Sequence, residues 1–406
     1  MFRLWSLAIR DVIRNKRRSG LTLVAIALGL ALVIALHSLE IGAMEGSIDN
    51  NIRVQSGHVQ VRAESYEEDK VSLKWEDLLD DPQALVIQAQ SLPEVQGAAP
   101  VLWAGGILSS TEDTAGVRVY GIDPLAETSA TFREDLFGEF LDPDDRSGIL
   151  ISKRTANNLK LAVGDDVSLL INTSGEQPDE TTFTVRGLYD TGLPGFDEST
   201  VFLPLAKAQA FTQAGERASA VMVLLHDQED ADLVGDKLSG PGLNLLTWQN
   251  LNQLMLQTME SALAILYLFY LIVLAIVAVV VANTLLMSVF ERTREMGILA
   301  ALGLKGRQIM TMFLMESAIL GILGVILGVA LGSLGVYYLA TQGIHIGDMA
   351  SDVSADLAYG ETMYASYQWS ATLVLSVVCW IVTMLASLYP AWFATRKEPI
   401  DALRAF

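Results

Sequence analysis

Residues spaced for chemistry are few in this chain, and most of them exclude a reaction. No G-x-x-x-x-G-K-[ST] run occurs, and Gly303-Leu304-Lys305-Gly306 lacks both the spacing and the hydroxyl residue that would hold a nucleotide's phosphates and magnesium. The four histidines, His37, His58, His226 and His345, have no metal-ligand spacing. Asp142, Asp144 and Asp145 cluster but lack the glycine turn and distal glutamate of a calcium loop. No nucleophile–base pair stands out. The expectation is a non-enzymatic chain with no catalytic residue, bound metal or cofactor of its own.

One stretch is patterned for contact. Glu291 to Ile309, ERTREMGILAALGLKGRQI, is charged and helix-capable, and it lies between two long apolar runs. Glu291, Arg292, Arg294, Glu295 and Arg307 can guide a partner electrostatically, and Met296, Ile298, Leu299 and Leu302 can enter its groove, with Gly297 and Gly303 between them. An inner loop that only fixed topology would leave those apolar residues unexplained. A separate motor protein is the expected visitor, since the chain has no P-loop.

The elements around this stretch follow from charge and hydropathy. The chain has 406 residues, a mean hydropathy of +0.37 and 18% charged residues, which suits a membrane protein. Its net charge is −20, and the acid is concentrated: Glu45 to Glu260 holds 14 Lys and Arg against 36 Asp and Glu. Four apolar runs are long enough to span a bilayer, at 19–44, 262–290, 309–340 and 369–393. No charge occurs between Arg18 and Glu40 of the first run, and the third carries one inside it, Glu316, for which a structural role is expected. Lys and Arg gather before the first run, between the second and third (291–308), and after the fourth (394–406). Both termini are therefore expected in the cytoplasm, with the 45–260 insert and the 341–368 loop outside. The single cysteine, Cys379, falls in the fourth run, so the outer domain must rely on its own core.

Within the insert, Ile52 to Arg62 alternates as a half-buried strand does, and a helix is expected at Pro82–Leu92. Strands are expected at Ala99–Ser109, Gly116–Ile122, Ala218–Leu225 and Leu243–Trp248, with a helix at Gln228–Leu238. Short β-rich runs broken by turn residues fill the middle. The reading is a β-rich subdomain at 125–216 inserted into an α/β one at 50–124 and 217–250. In the third span, Gly321, Gly324, Gly328, Gly332 and Gly335 recur at three- and four-residue spacing, which lets neighbouring helices of the same protomer approach closely.

Three segments carry a resemblance to a known family. LAIRDVIRNKRRSGLTLVAIALGLAL, NTLLMSVFERTREMGILAALGLKGRQI and the closing YPAWFATRKEPIDALRAF are similar to the FtsX-like, MacB-type permeases of ABC transporters. SGHVQVRAESY and VYGIDP look most like the lipoprotein-releasing, LolC/LolE-like branch. The resemblance implies an α-helical membrane protein of four transmembrane helices, with an amphipathic cytoplasmic helix at 1–18. Its α/β + β outer domain would divide into porter-like and sabre-like subdomains. It also implies a partner ABC ATPase that binds ATP and magnesium, and a second permease, identical or a diverged sister.

Function follows as an expectation: ATP-driven extraction of a lipoprotein or other amphiphile from the outer leaflet of the bacterial inner membrane, with a periplasmic carrier or adaptor as outer partner and no nucleic acid involved. Peptide or drug efflux with an adaptor, or FtsX-like control of a cell-wall hydrolase, are the alternatives. Acyl chains avoid water at about 0.8 kcal/mol per CH₂. A lateral cleft between the first two spans is therefore expected, lined by Val33, Leu36, Leu268 and Ile272. Members of that branch that hand cargo to a carrier use an apolar hairpin tip. The matching stretch here, Asn172 to Thr182, is polar.

Overall fold

The computed structural model describes residues 10, 14, 16–66, 71, 73–301, 304–345 and 362–395, with backbone only at 299–301. Most of the expected 1–18 helix, the 341–368 loop and the 394–406 tail therefore lie outside the described residues. Two compact units emerge: 1–44 with 260–345 and 362–406, and 45–259 with 346–361.

Among its described residues the first unit holds four helices long and apolar enough to cross a membrane. They are α1 (Lys16–Asn51), α4 (Gln253–Glu291), α6 (Gly306–Gln342) and α7 (Trp369–Thr395), with a short α5 (Thr293–Ala301) between α4 and α6. Runs of Leu, Val, Ile and Ala make continuous helix the one way to satisfy backbone polar groups in lipid. At 36 and 39 residues, α1 and α4 are about 54 and 58 Å long, against roughly 30 Å for a hydrocarbon core. Ile26, Leu30, Ile34, Val277, Val281, Val336 and Cys379 form the buried centre of the bundle.

Among its described residues the second unit contains ten strands, β1 (Val59–Ala63), β2 (Val95–Ser109), β3 (Thr114–Ile122), β4 (Leu136–Gly138), β5 (Gly148–Ser152), β6 (Asp166–Asn172), β7 (Pro178–Tyr189), β8 (Thr200–Pro204), β9 (Ala220–Leu225) and β10 (Leu243–Thr247). One sheet is antiparallel in the order β10-β1-β9-β2. Helix α2 (Pro82–Gln90) lies between β1 and β2 in the chain, and α3 (Ala231–Leu238) between β9 and β10. This is a split βαββαβ arrangement. Its core is Val59, Val61, Val86, Ala89, Val221, Val223, Val234 and Leu238.

The other strands close on themselves. Following the pairings, β2 meets β3, then β8, β5, β7 and β6 in turn, and β6 returns to β2. The result is a six-stranded barrel, small enough for side chains to fill. Alternate residues point inward along each strand: Val117 and Val119, Ile149 and Ile151, Val167, Leu169 and Ile171, Phe183 and Val185, Val201 and Leu203. Aromatic residues pack a second cluster built on the opposite faces of the same strands, with Trp103, Tyr120, Tyr189 and Phe202 joined by Phe132 and Phe196.

Two differences from the sequence reading have physical causes. Ile52–Ser56 is a π-helical turn, not strand, because α1 runs on past Asn51 until Gly57 turns the chain at a φ of 62°. The strand starts only at Val59. The passage from the α/β sheet to the barrel falls inside β2. Residues Val95 to Val101 pair with β9, whereas Leu102 to Ser109 pair with β3, which places β3 in the barrel, ahead of residue 125. Pro100 stands just before the changeover, but the strand runs on through it, so no break in the chain marks the division.

Candidate coupling site

The expected docking stretch folds as α5 and its flanks, and its residues divide into two groups. Glu291, Arg294, Glu295, Ile298 and Arg307 are exposed, whereas Arg292, Met296 and Gly297 are buried. Leu302 and Gly303 lie outside the described residues. Met296 does not reach outward as its spacing suggested. It is 4% exposed and packs in a cluster with Val289, Ile309, Met312, Phe313, Ala391 and Ala394. It fastens α5 to the membrane helices, and among the described residues of this stretch Ile298 is the exposed large apolar side chain. At the other flank, Gln308 Oε1 accepts a hydrogen bond from Lys305 N at 2.9 Å, setting the start of α6.

Beneath this surface, one carboxylate gathers three segments. Glu316, in the third turn of α6, is 1% exposed. Arg18 Nη2 donates to its Oε1 at 3.0 Å, and Arg292 Nη1 lies 3.5 Å from its Oε2. Arg18 also reaches Glu291 Oε2 at 3.5 Å, and Arg14 donates to Glu295 Oε1 at 2.7 Å. A charge buried among apolar helices persists only where it is paired. Two guanidiniums around one carboxylate therefore join α1, the α4–α5 junction and α6. Sequence reasoning used Arg14 and Arg18 only for topology. The usable signal was the single acid of the third span, set against a basic cluster that ends at Arg18, where the first apolar run begins.

The glycine stripe seams the bundle internally. A Cβ on Gly324 would lie 2.7 Å from Ile26, one on Gly328 would lie 3.0 Å from the Ala27 carbonyl, and one on Gly332 would meet Ile34 at 3.1 Å. Three of the five thus face α1. Gly321 faces Trp380 and Thr383 of α7, and Gly335 has open space. The four residues expected to line a lateral cleft are not brought together on one surface. Val33 is 1% exposed and Leu36 half-buried, whereas Leu268 and Ile272 lie on an outward face of α4, at 59% and 46%. The expected hairpin tip is the β6–β7 turn at Thr173–Gln177, and Ser174 ties it to the Thr212 and Gln213 carbonyls.

Two family models match the chain. The model of the FtsX-like permease C-terminal domain matches residues 267–399, and that of the MacB-like periplasmic core domain matches residues 19–240. The lipoprotein-releasing system transmembrane protein LolC of Xylella fastidiosa is 25% identical over the full length of both chains. The macrolide export ATP-binding/permease protein MacB of Bdellovibrio bacteriovorus is 24% identical, over 96% of this chain and 60% of that protein. Among solved structures, the periplasmic region of MacB from Actinobacillus actinomycetemcomitans covers 51% of this chain and 97% of its own, at 14% identity and a TM-score of 0.33.

Proposed function

The chain belongs to the FtsX-like permeases with a MacB-like periplasmic core domain, and we propose that its cargo is a lipoprotein or another amphiphile. It is a multi-pass permease subunit of an ABC transporter, and ATP hydrolysis belongs to a partner polypeptide. On this reading the ATPase docks on the exposed residues Arg294, Glu295, Ile298 and Arg307. Its strokes pass through α5 to the membrane helices and on to the outer domain. Two permeases, identical or diverged, work with two ATPase copies. Lipoprotein release is supported by the full-length similarity to LolC. The polar β6–β7 turn favours release that does not use an apolar hand-off to a soluble carrier.

The observation that carries the coupling role is the Arg18–Glu316–Arg292 junction, which makes α5 mechanically continuous with α1 and α6. The test is coexpression with the ATPase encoded beside it, followed by copurification. Arg294→Glu with Ile298→Glu should abolish recovery of the ATPase while leaving the permease folded. Full recovery with normal ATP turnover would remove α5 from the docking site. For cargo, photo-crosslinkers at Leu268 and Ile272 should capture an acylated protein that ATP turnover releases. Capture of a peptide or drug instead, together with an adaptor, would move the assignment to efflux.

A further inference from the structure

A cavity of about 50 Å³ in the outer domain has a chemistry unlike its surroundings. It is lined by Arg62, Arg118, Trp103, Tyr66, Asn51 and Asn252, among others, and its described lining contains no acid. Yet the domain around it carries 36 Asp and Glu against 14 Lys and Arg. Arg62 is buried and held rigidly: Nε and Nη2 both donate to Gln60 Oε1, at 2.9 and 2.6 Å. Its guanidinium lies 5.0 Å from the Trp103 ring centre and 5.5 Å from that of Tyr66. Arg118 stands exposed at the same cavity, with no ion-pair partner among the described residues.

Two buried polar atoms on lining residues are unsatisfied. Among the described residues, Trp103, 5% exposed, finds no acceptor for its indole N–H, and Asn51, 8% exposed, no donor for Oδ1. Leaving such groups unpaired is costly, so native sites of this kind usually hold something. The space suits roughly three or four water-sized groups, the size of one tetrahedral oxyanion. Two irregular helix turns adjoin it, the π-helical turn Ile52–Ser56 and the break at Asn252 before α4. Turns of the first type are frequent at functional sites.

We propose that this cavity is a binding site for a phosphate-type anion, free or as the phosphodiester of a lipid headgroup. Arg62 and Arg118 supply charge-assisted hydrogen bonds, Trp103 a neutral donor, and Asn51 Oδ1 accepts from any hydroxyl the ligand carries. The site is independent of the ATPase-docking role proposed above.

The test uses the full-length protein in maltoside micelles and phosphate-free buffer, with its seven tryptophans labelled as 5-fluorotryptophan. The Trp103 resonance is identified by its loss in Trp103→Phe. Inorganic phosphate is titrated in one arm and glycerophosphoglycerol, a deacylated lipid headgroup, in the other. A saturable shift of the Trp103 resonance is expected in at least one arm, and the tighter arm identifies the source. Arg118→Gln, on the exposed rim and so tolerated by the fold, should weaken that binding about tenfold. No saturable shift with either anion overturns the proposal, as does an Arg118→Gln protein that binds as tightly as the parent.

Discussion

In the membrane unit, Glu316 is almost wholly buried and meets Arg18 and Arg292, and little other charge enters the spans. In the outer domain, Lys160 and Glu112 meet at 2.6 Å with most of both side chains in solvent. The contacts look alike, but the surroundings decide their weight. Around Glu316, water cannot replace a lost partner, so the pairing fixes where three segments stand relative to one another. Around Lys160, water replaces the partner at once, and the outer domain's many acids serve solubility and long-range field instead.

The largest effect should come from breaking the buried junction. Glu316→Gln leaves two guanidiniums facing a neutral amide, and losing one partner of a buried pair typically costs about 3–5 kcal/mol. Thermal unfolding in detergent should show a clear fall in the melting temperature, with ATPase stimulation lost in the reconstituted complex. Unchanged melting and coupling would put this junction in the same class as the solvent-exposed pairs.

A buried acid without a cation sharpens the contrast from the other side. Asp197, inside the outer domain, accepts from the Thr191 hydroxyl at 2.7 Å and is paired with no cation among the described residues. Burial, reinforced by the nearby Asp190, pushes its pKa up to about 7, against the opposing hydrogen bonds from Thr191. The folded state therefore holds this proton over a range where the unfolded chain has released it. Its contribution to stability is full below pH ~4 and is lost as pH rises toward 7, by an amount on the order of 2–4 kcal/mol. Asp197→Asn should flatten that decline, so its advantage over the parent grows from pH 5 to pH 8 in denaturant unfolding. A constant difference across that range would mean that Asp197 does not titrate there.

Packing within the membrane gives a middle case. Gly328→Leu would force side-chain atoms against Ala27 and Leu30 of α1, an overpacking cost of about 1–3 kcal/mol. Gly335→Ala meets no atom within 4 Å and should melt within about 0.5 kcal/mol of the parent or slightly above it. Equal effects at the two glycines would show that the stripe does not seam α6 to α1.

These cases also show what could be read before the fold was known. The four spans, the outer strands near Ala220–Leu225 and Leu243–Thr247, and the helix at Ala231–Leu238 were legible because period and composition act locally. The glycine spacing pointed to close helix approach, and Gly321, Gly324, Gly328 and Gly332 do face neighbouring helices, whereas Gly335 faces open space. Barrel closure was not, since β6 meets β2 about 60 residues earlier, and alternation along a strand says nothing about its partner. Met296 was misread because a one-dimensional pattern marks an apolar face without saying which molecule covers it. Glu316 was visible as an exception, but its partners lie roughly 300 and 24 positions away in the chain, and only the fold brings both guanidiniums to it.

The smallest expected effect tests the exposed end of the comparison. Lys160 sits at a φ of 55°, at the end of the helix Lys153–Leu159, and its amine reaches Glu112 across the barrel surface. Lys160→Gln keeps a long polar side chain at the same backbone position, so it removes the charge without changing the conformational demand there. An exposed pair gains little in water and loses side-chain freedom in forming, which leaves about 0–1 kcal/mol, screened further by salt. Denaturant unfolding of Lys160→Gln should fall within about 0.5 kcal/mol of the parent, with any difference vanishing at high salt. Lys160→Ala adds no backbone effect, because a left-handed position penalises alanine and lysine alike, so the two variants should behave similarly. A loss above about 2 kcal/mol that persists in high salt would mean the barrel surface shields this pair as the membrane helices shield Glu316. The contrast between the two units would then rest on number of charges alone, and not on burial.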